Sequence, residues 1–532
     1  MYITRMSPLD RWLIFTFLIL LSYALLQPAF EGFDESAHYS RVLDASNDLT
    51  TQFSGGKLFN SRILDYPGPR AYGSGEPPFS GDKTYDIFYL QSSEVLTSVK
   101  TYSTLEVPSK SNTKENWQYQ HPPLYYFLMG AFNRLASPNT LVFNVIVLRI
   151  FSIFLSTLAL RFCYKALECL GAKTVLNSSL MSSAAGIFAL CFPMFCFEFA
   201  RIGNDALVFF CLSIAFYCSV KAYKSDQPQL YLMGMSLSLA FGLWTKAVVL
   251  PLLPVFAMYA AYSLWTSKSG KQYSSILKDF FWVYLLPVAL GLAWYVFLYL
   301  KFHDLGIGSE ARELGQSSGL INGLYAHFSI VQFIRGLLVP LASFIYAGSW
   351  SLLRAPLGLY LLLAFIYGVL ILRYISVVSQ SKDRVFGFLP LVLAASLYAG
   401  LSYHILVSMA LSGLGTSGGW YFYVLSPWLL MAISFAVEKI ASLMRIGIQV
   451  IGLFITAGLF FANALIYSGF IVKGDDKAMR FNPDVWAELF QSAAIRLDYV
   501  SYPRIALLLF SAALLLAVYN LCKDETKPKL KI

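Results

Sequence analysis

Long apolar runs alternate with short polar turns over most of the chain. The first run, residues 12–30, holds 19 residues, and a helix of that length at 1.5 Å per residue covers about the ~30 Å core of a bilayer. Further apolar runs predict membrane helices at 143–168, 178–197, 205–222, 229–243, 247–265, 280–300, 357–375, 386–409, 421–437, 447–470 and 503–521. The pattern predicts an all-α polytopic membrane protein with about 12 transmembrane helices and both termini on one side.

Three polar stretches interrupt the helical pattern. Residues 31–121 form a long first loop, whose Gly and Pro pairs indicate turns between short interfacial helices. Residues 302–356 and 471–502 form the other two. The chain is therefore divided into a core membrane module that carries the first loop and a variable C-terminal membrane module, at 1–300 and 301–532.

The composition supports this class. Of the 532 residues, 57% are hydrophobic and 13% are charged, whereas soluble domains have about 25% charged residues. The net charge of +10 is not arranged in a basic stripe or recognition motif, so no nucleic-acid partner is expected. Six of the seven cysteines lie in or beside apolar runs, which indicates packing and not a disulfide frame or zinc site.

The distribution of Lys and Arg predicts the orientation. With the N-terminus in the cytoplasm, 19 of the 40 Lys and Arg residues fall on short cytoplasmic segments, as the positive-inside rule requires. This arrangement holds if 330–348 is interfacial or re-entrant. The first loop then lies on the outer side of the membrane, which is periplasmic if the cell is Gram-negative.

A stretch with three acids and a histidine within eight residues directly follows the first apolar run. If residues 33–41 are helical, Asp34, His38 and Arg41 share one face, and Glu35 lies on a neighbouring stripe. A carboxylate beside an imidazole and a cation suits a base, a metal ligand or an anion-binding group. The structural alternative is a solvated loop start with a helix cap.

Other polar side chains are predicted at the same membrane level, where buried acids and bases are usually functional. They come from the outer ends of distant helices and are His121, Glu198, Arg201, Asn204, Asp205, Lys246 and Tyr421. Four of them have a structural alternative. Asn204 or Asp205 could cap the next helix, His121 could start one, and Lys246 could extend to the interface. Arg149, inside an apolar run, is expected to form a structural pair.

These motifs resemble the GT-C superfamily of polytopic glycosyltransferases, and most closely a bacterial group of GT-C-like sequences. That group has an Asp-Glu-x-x-His stretch in the first loop, His-Pro-Pro-Leu-Tyr-Tyr, Asn-Asp-Ala before a span, Thr-Lys between spans and a late Gly-Arg-Tyr. The corresponding segments here are 34–38, 121–126, 204–206, 245–246 and 419–421. The resemblance covers residues 10–270 well and the rest loosely. Two positions depart from it, because Phe33 replaces a Pro and Trp420 replaces the late Arg.

The resemblance implies a GT-C fold and a glycosyltransferase, hexosyl or pentosyl, that takes its sugar from a polyprenyl-phosphate donor. The acceptor would be an envelope glycan, lipid or protein. The implied catalytic residues are Asp34, Glu35 and Asp205, with Asp34 preferred as base although Glu35 stays open. The implied substrate-binding residues are His38, Arg41, His121, Arg201, Asn204, Lys246 and Tyr421. Among them, His121, Arg201 and Lys246 are expected to be the cations that meet the phosphate. A divalent metal (Mg, Mn, Ca or Zn) on Glu35, His38 and Asp205 is a further expectation, and a single displacement predicts inversion.

Other functions stay open from the sequence. An O-antigen polymerase or ligase is also polytopic with a large outer loop. A lipid or sugar transporter is less favoured, because acids and histidines in mid-helix are nearly absent and no internal repeat is visible. A non-catalytic envelope scaffold would tolerate substitution of Asp34 and Asp205.

Overall fold

The computed structural model describes residues 6–53, 58–69, 85–103, 116–136, 139–171, 178–267, 273–302, 319–349, 355–381, 384–415, 417–473, 479–481 and 489–525. The helices of the first half are α1 Pro8–Leu26, α2 Glu35–Asn47, α3 Ser61–Asp65, α4 Tyr85–Phe88, α5 Ser93–Thr101, α6 Leu124–Ala136, α7 Leu141–Gly171, α8 Ser178–Cys191, α9 Met194–Phe199, α10 Asp205–Lys224, α11 Gln229–Leu243, α12 Leu253–Ser267, α13 Tyr273–Phe280 and α14 Leu286–Phe302. Those of the second half are α15 Gly319–His327, α16 Ile330–Ile345, α17 Leu357–Gln380, α18 Arg384–Ser412, α19 Ser426–Ala436, α20 Ser442–Tyr467, α21 Leu489–Val500 and α22 Pro503–Glu525.

The first helix illustrates how the sequence sets its own ends. Ser7 precedes Pro8, and the Ser7 hydroxyl accepts a hydrogen bond from the backbone N–H of Asp10 at 3.1 Å. A serine cap followed by proline in the first turn is a strong helix start. Helix α1 ends at Leu26, because the residue before a proline is driven out of the helical region and Pro28 follows Gln27.

The number of apolar helices agrees with the prediction of about 12. In the described part of the chain, ten helical segments are long and apolar enough to cross a membrane. The two other predicted spans are the shorter apolar helices α8 and α11, with 14 and 15 residues, or about 21 and 23 Å. An all-α, multi-pass architecture is therefore confirmed.

Helices α8 and α11 are short because each is broken at the same level of the molecule. Pro193 follows α8 and prevents it from continuing, and the chain restarts as α9. Helix α11 gives way at Trp244 to an extended residue, Lys246, and then to the 3₁₀ helix Ala247–Leu252. Non-helical backbone at membrane depth is tolerated only inside the protein. Both breaks are buried, and both carry polar side chains.

The polar stretches also agree in outline with the prediction. Helices α2 to α5 and two 3₁₀ helices, Leu49–Phe53 and Trp117–Gln120, belong to the first loop. Helices α15 and α16 meet at 107°, a bend that fits either a re-entrant segment or a broken span, so the prediction for 330–348 stays a prediction. The third polar stretch contains an antiparallel hairpin, β1 Ile471–Lys473 with β2 Met479–Phe481, in which Val472 pairs with Arg480.

The two predicted modules pack on one another. Helix α10 lies between α7 and α11, and α1 packs against α7 and α22. From the C-terminal half, α20 and α19 pack against α8, and the 3₁₀ helix Gly419–Leu425 packs against α10 and α16. Residues from both halves therefore reach the broken ends of α8 and α11.

Candidate functional site

The backbone between α1 and α2 is unusually tight. Asp34 stands at the N-cap position of α2 with φ 56°, and Phe30 has φ 68°. No other non-glycine residue has a positive φ in the described ranges. Between them, Gly32 lies so close to Arg201 that a Cβ there would be 2.6 Å from the Cβ of that arginine. Backbone in the left-handed region costs about 1–3 kcal/mol for a non-glycine residue, and such strain is concentrated at functional sites.

Glu35 faces away from Asp34 into a structural ion pair. Arg149 donates from Nε and Nη2 to the two carboxylate oxygens at 2.7 and 2.6 Å, and both side chains are fully buried. The backbone N–H of Ile202 donates to the same carboxylate at 3.0 Å. The other hydrogens of Arg149 go to carbonyls at the end of α1, including that of Pro28 at 2.7 Å. The structural pair predicted for Arg149 is present, and Glu35 is its partner.

Two acids and two bases form a buried ion network at the start of α10. Lys246 Nζ donates to both oxygens of Asp205 at 2.7 Å. Arg201 Nη2 donates to Glu198 at 2.5 Å and to Asp205 at 3.4 Å. All four side chains are at least nine-tenths buried. Ion pairs thus join the segments that follow α8 and α11.

Asp34 differs from these acids in being only half-buried. Burial raises the pKa of the Asp34 carboxyl above its usual value, while Arg201 and Lys246 oppose the rise. The side chain of Trp117, from the far end of the first loop, donates a hydrogen bond to Asp34. Asp34 is therefore an accessible acid next to two buried cations.

The late motif contributes from the C-terminal half. Lys246 Nζ lies 4.7 Å from the centre of the Tyr421 ring, in a cation–π contact. Phe33 and Trp420 stack at 4.6 Å with their planes 13° apart. The two positions at which this sequence departs from the resembled motif therefore contact each other. They bring Tyr421 close to the residue that follows Phe33, which is Asp34.

His38 and His121 lie side by side as neutral imidazoles. Their ring centres are 6.5 Å apart with the planes 13° from parallel, and Nδ1 of His38 lies 2.8 Å from the hydroxyl of Tyr126. Burial lowers the pKa of His121 to about 3, and Lys246 and Arg41 add to the effect. Burial likewise lowers the pKa of His38. His121 was predicted as a cation for the phosphate, and this geometry leaves it uncharged at neutral pH.

Arg41 is buried among residues of the first loop. Its Nε donates to Gln52 at 2.6 Å, and its Nη1 donates to the carbonyls of Gln118 and His121. The guanidinium also stacks on Tyr126, 3.8 Å from the ring centre. These contacts fix the segment that carries His121 against α2. They do not bring Arg41 into the ion network.

Asn204 occupies the N-cap position of α10, but its side chain makes no capping hydrogen bond. The residue is fully buried, and neither atom of its amide has a hydrogen-bond partner within the described ranges. Unpartnered buried amides are costly, so this side chain is available to a ligand. Asn204 therefore stands at the N-cap position that the structural alternative predicted. Its side chain does not make the capping hydrogen bond, so that part of the alternative is wrong.

The predicted metal set does not come together. Both oxygens of Glu35 bind Arg149, both oxygens of Asp205 bind Lys246, and Nδ1 of His38 contacts Tyr126. No group of three His, Cys, Asp or Glu side chains in the described part of the chain is arranged to hold a metal ion. These three residues do not fit a metal site as they stand.

Sequence reasoning passed over two residues of the site. The sequence-based prediction gives Glu198 no catalytic or binding role, although an acid three residues before an arginine indicates an ion pair. Trp117 lies 83 positions after Asp34, at the end of the first loop, and nothing in the sequence links the two. The structure brings Asp34, Arg201, Asp205, Lys246 and Tyr421 together. It places Glu35 and Arg41 in the surrounding framework.

Comparisons with known proteins give a family and a limited structural likeness. Two crystal structures of ArnT from Cupriavidus metallidurans, in the apo state and bound to undecaprenyl phosphate, are similar over 95% of this chain and 76% of theirs, with TM-scores of 0.43 and identities of 13% and 14%. No curated protein matches the sequence. Residues 17–460 match the profile of the family described as predicted membrane protein DUF2142. This match spans most of the chain, and the protein belongs to the DUF2142 family of membrane proteins.

Proposed function

We propose that the chain is an inverting glycosyltransferase of the GT-C type, which moves a sugar from a polyprenyl-phosphate-linked donor to an acceptor hydroxyl. The observation that carries the proposal is one accessible acid, Asp34, beside two buried cations, Arg201 and Lys246. Displacement at an anomeric carbon requires a base for the acceptor and positive charge for the departing phosphate. This pairing supplies both.

The base is Asp34, not Glu35. Both oxygens of Glu35 are held by Arg149, so Glu35 cannot approach an acceptor without breaking a buried ion pair. The carboxyl of Asp34 is half-buried, and its raised pKa makes it a stronger base than an exposed aspartate. Asp205 supports the reaction indirectly, because it holds Lys246 and Arg201 in place.

The ion network holds two cations, Arg201 and Lys246, against its two acids. Burial raises the pKa of Glu198, and the nearby Asp205 adds to the rise while Arg201 opposes it. The neighbouring guanidinium and ammonium groups of Arg201 and Lys246 suit a phosphate. The unpartnered amide of Asn204 supplies further donors beside it.

In the proposed step, the acceptor oxygen bonds to the anomeric carbon while the bond from that carbon to the phosphate oxygen breaks. The bonding electrons leave with the polyprenyl phosphate, and the acceptor proton passes to the Asp34 carboxylate. Arg201 and Lys246 stabilise the charge that grows on the phosphate. A single displacement inverts the anomeric centre.

The remaining polar side chains suit the binding of uncharged hydroxyl groups. A neutral imidazole can donate and accept a hydrogen bond, and His38 and His121 lie side by side. The ring of Tyr421 lies next to Lys246. Arg41 acts indirectly, because it holds the segment that carries His121 against α2. The divalent metal stays a prediction, because no set of side chains in the described part of the chain is arranged to bind one. The proposed displacement does not require a metal.

The proposed location is the bacterial cytoplasmic membrane, with the site on the periplasmic side. The donor would be embedded in the bilayer by its polyprenyl tail. The acceptor would be an envelope glycan, lipid or protein, and the sugar a hexose or a pentose.

The proposal is tested by transfer assays on the full chain in nanodiscs, with a panel of polyprenyl-phosphate hexoses and pentoses. We expect Asp34→Asn to lower kcat by about 10²–10⁴-fold, the usual contribution of a general base. Asp48→Asn is the matched control, because Asp48 is an exposed acid at the other end of α2. The proposal fails if Asp34→Asn turns over at the wild-type rate.

Two further arms sharpen the assay. Because the pKa of Asp34 is raised, kcat/KM should rise with pH and level off above the ordinary aspartate value of about 3.9, and Asp34→Asn should lose this rise. The anomeric configuration of the product, determined by NMR, should be inverted, and retention would exclude a single displacement. A chelator in parallel reactions tests the predicted metal.

A further inference from the structure

A second buried acid, Glu31, lies three residues before Asp34 and has no part in the proposed step. Its side chain is almost fully buried. Tyr85 donates its hydroxyl to one carboxylate oxygen at 2.5 Å, and Ser349 donates to the other at 2.5 Å. The Ser349 hydroxyl lies 3.1 Å from that of Tyr467. Glu31 is thus the centre of a hydrogen-bonded cluster, called here the Glu31 cluster, of Glu31, Tyr85, Ser349 and Tyr467.

The partners in this cluster come from distant parts of the chain. Tyr85 begins α4 in the first loop, Ser349 follows α16, and Tyr467 ends α20. A tyrosine directly after α4, Tyr89, donates to the backbone carbonyl of Tyr467 at 2.8 Å. One carboxylate therefore joins the start of the first loop to its later part and to the C-terminal half.

The position of Glu31 in the backbone makes this junction consequential. It lies between Phe30 and Asp34, the two residues held at positive φ. Within this segment the backbone N–H of Glu35 reaches the carbonyl of Gly32 at 3.1 Å. Strained backbone persists only where the surroundings over-determine it. A side-chain anchor in the middle of the segment is such a constraint.

The other side of the same segment is held by two arginines. Arg149 binds the carbonyl of Pro28, and Arg201 binds the carbonyl of Phe33. These contacts act on the main chain from the side of α7 and α10. Glu31 extends to α4 and α20 instead, so the segment is clamped between the two halves of the protein.

We propose that Glu31 is a positioning residue, which holds the Asp34 carboxylate in its reactive place by tying residues 30–34 to the first loop and to the C-terminal half. This inference rests on the proposed function, because it gives Glu31 its effect through Asp34. Misplacing a reacting group by about 1 Å can cost 10²-fold in rate. Binding of the donor phosphate depends on Arg201 and Lys246, whereas the Glu31 carboxylate accepts hydrogen bonds from Tyr85 and Ser349.

The activity test compares Glu31→Ala and Glu31→Gln with Tyr259→Phe. Tyr259 is a buried tyrosine in α12, whose hydroxyl donates to the carbonyl of Ser219, away from the site. We expect Glu31→Ala to lower kcat about 10–100-fold with the donor KM within about threefold of wild type. Glu31→Gln should recover much of the loss, since its amide oxygen still accepts from Tyr85. A rise in KM alone, or a Glu31→Ala rate equal to that of Tyr259→Phe, would overturn the inference.

Hydrogen exchange on the full chain in nanodiscs gives a readout that does not depend on turnover. Glu31→Ala should speed exchange at least about tenfold at residues 30–36, and Tyr259→Phe should leave it unchanged. Unchanged exchange at 30–36 in Glu31→Ala sinks the positioning role even if no donor is turned over. An inactive wild type with the expected exchange would reject the proposed reaction and keep the anchor.

Discussion

Arg149 and Glu35 are charged residues whose role follows from where they are buried. Arg149 lies within the apolar helix α7, where an unpaired guanidinium would be very costly. Its hydrogen bonds are all made to Glu35 and to carbonyls at the end of α1. The pair therefore joins α7 to the loop that carries Asp34. It serves the site by holding its framework.

Removing either partner of this ion pair should destabilise the protein. Arg149→Met or Glu35→Gln alone leaves a buried group without its partner, which costs about 3–5 kcal/mol for a broken buried ion pair. We expect each single variant to lose thermal stability in detergent, and the double variant to lose less than the sum of the two. A Glu35→Gln protein with wild-type stability and no transferase activity would instead identify Glu35 as a catalytic residue.

The sequence predicted which residues lie together at the candidate site, but it did not predict whether each of them is charged. Asp34, Arg201, Asp205 and Lys246 were all chosen from the sequence and do lie together. His121 was chosen as a cation, yet burial beside Lys246 keeps it neutral. The sequence does not distinguish a neutral histidine from a protonated one. The protonation state of His121 is set by neighbouring side chains from other segments of the chain, and the sequence does not show which ones these are.

At the scale of elements, hydropathy located the helices but not their breaks. The predicted span 178–197 runs through Pro193, where the structure ends α8 and begins α9. Apolar residues continue across the break, so the periodic signal does not register it. The break is what lets Glu198 and Arg201 turn inward. The polar residues beyond an apolar run were thus the better guide to the site.

Gly419 shows how closely the late motif is packed. A Cβ at this position would overlap the carbonyl oxygen of Pro340 in α16. Its backbone N–H donates to the hydroxyl of Ser343 at 2.7 Å. Only glycine allows the two backbones to approach so closely, and Tyr421 follows two residues later. The small residue therefore sets the distance between α16 and the candidate site.

Replacing this glycine should be costly. Gly419→Ala forces α16 and the 3₁₀ helix apart, and we expect a loss of about 1–3 kcal/mol, as for overpacked cores. Gly458→Ala is the matched control. Gly458 lies inside α20, where an added methyl carbon would have no neighbouring atom within 4 Å, and alanine there should be neutral or stabilising by about 0.5–1 kcal/mol. Equal thermal stability of the two variants would contradict the packing described here.

At the scale of the whole molecule, the candidate site is shared by both halves of the chain. Residues up to Lys246 supply the acid and the cations, whereas Trp420 and Tyr421 close over them from the C-terminal half. The sequence predicted a core module in 1–300 and a variable module in 301–532. It could not predict that Ser349 would contact Glu31, 318 positions earlier. Such contacts depend on which helices pack together, and the hydropathy pattern does not predict packing partners.

The orientation of the molecule decides which compartment supplies the acceptor. Short loops rich in Lys and Arg predict cytoplasmic termini and an outer first loop. In the described part of the chain, Leu90 of the first loop is 82% exposed, and Cys522 near the C-terminus is exposed as well. A membrane-impermeant maleimide added to spheroplasts should label Leu90→Cys in a Cys522→Ser background and leave the native Cys522 unlabelled. Inverted vesicles should give the opposite result. Labelling of Cys522 from outside would place Asp34 in the cytoplasm, and a periplasmic acceptor would then be excluded.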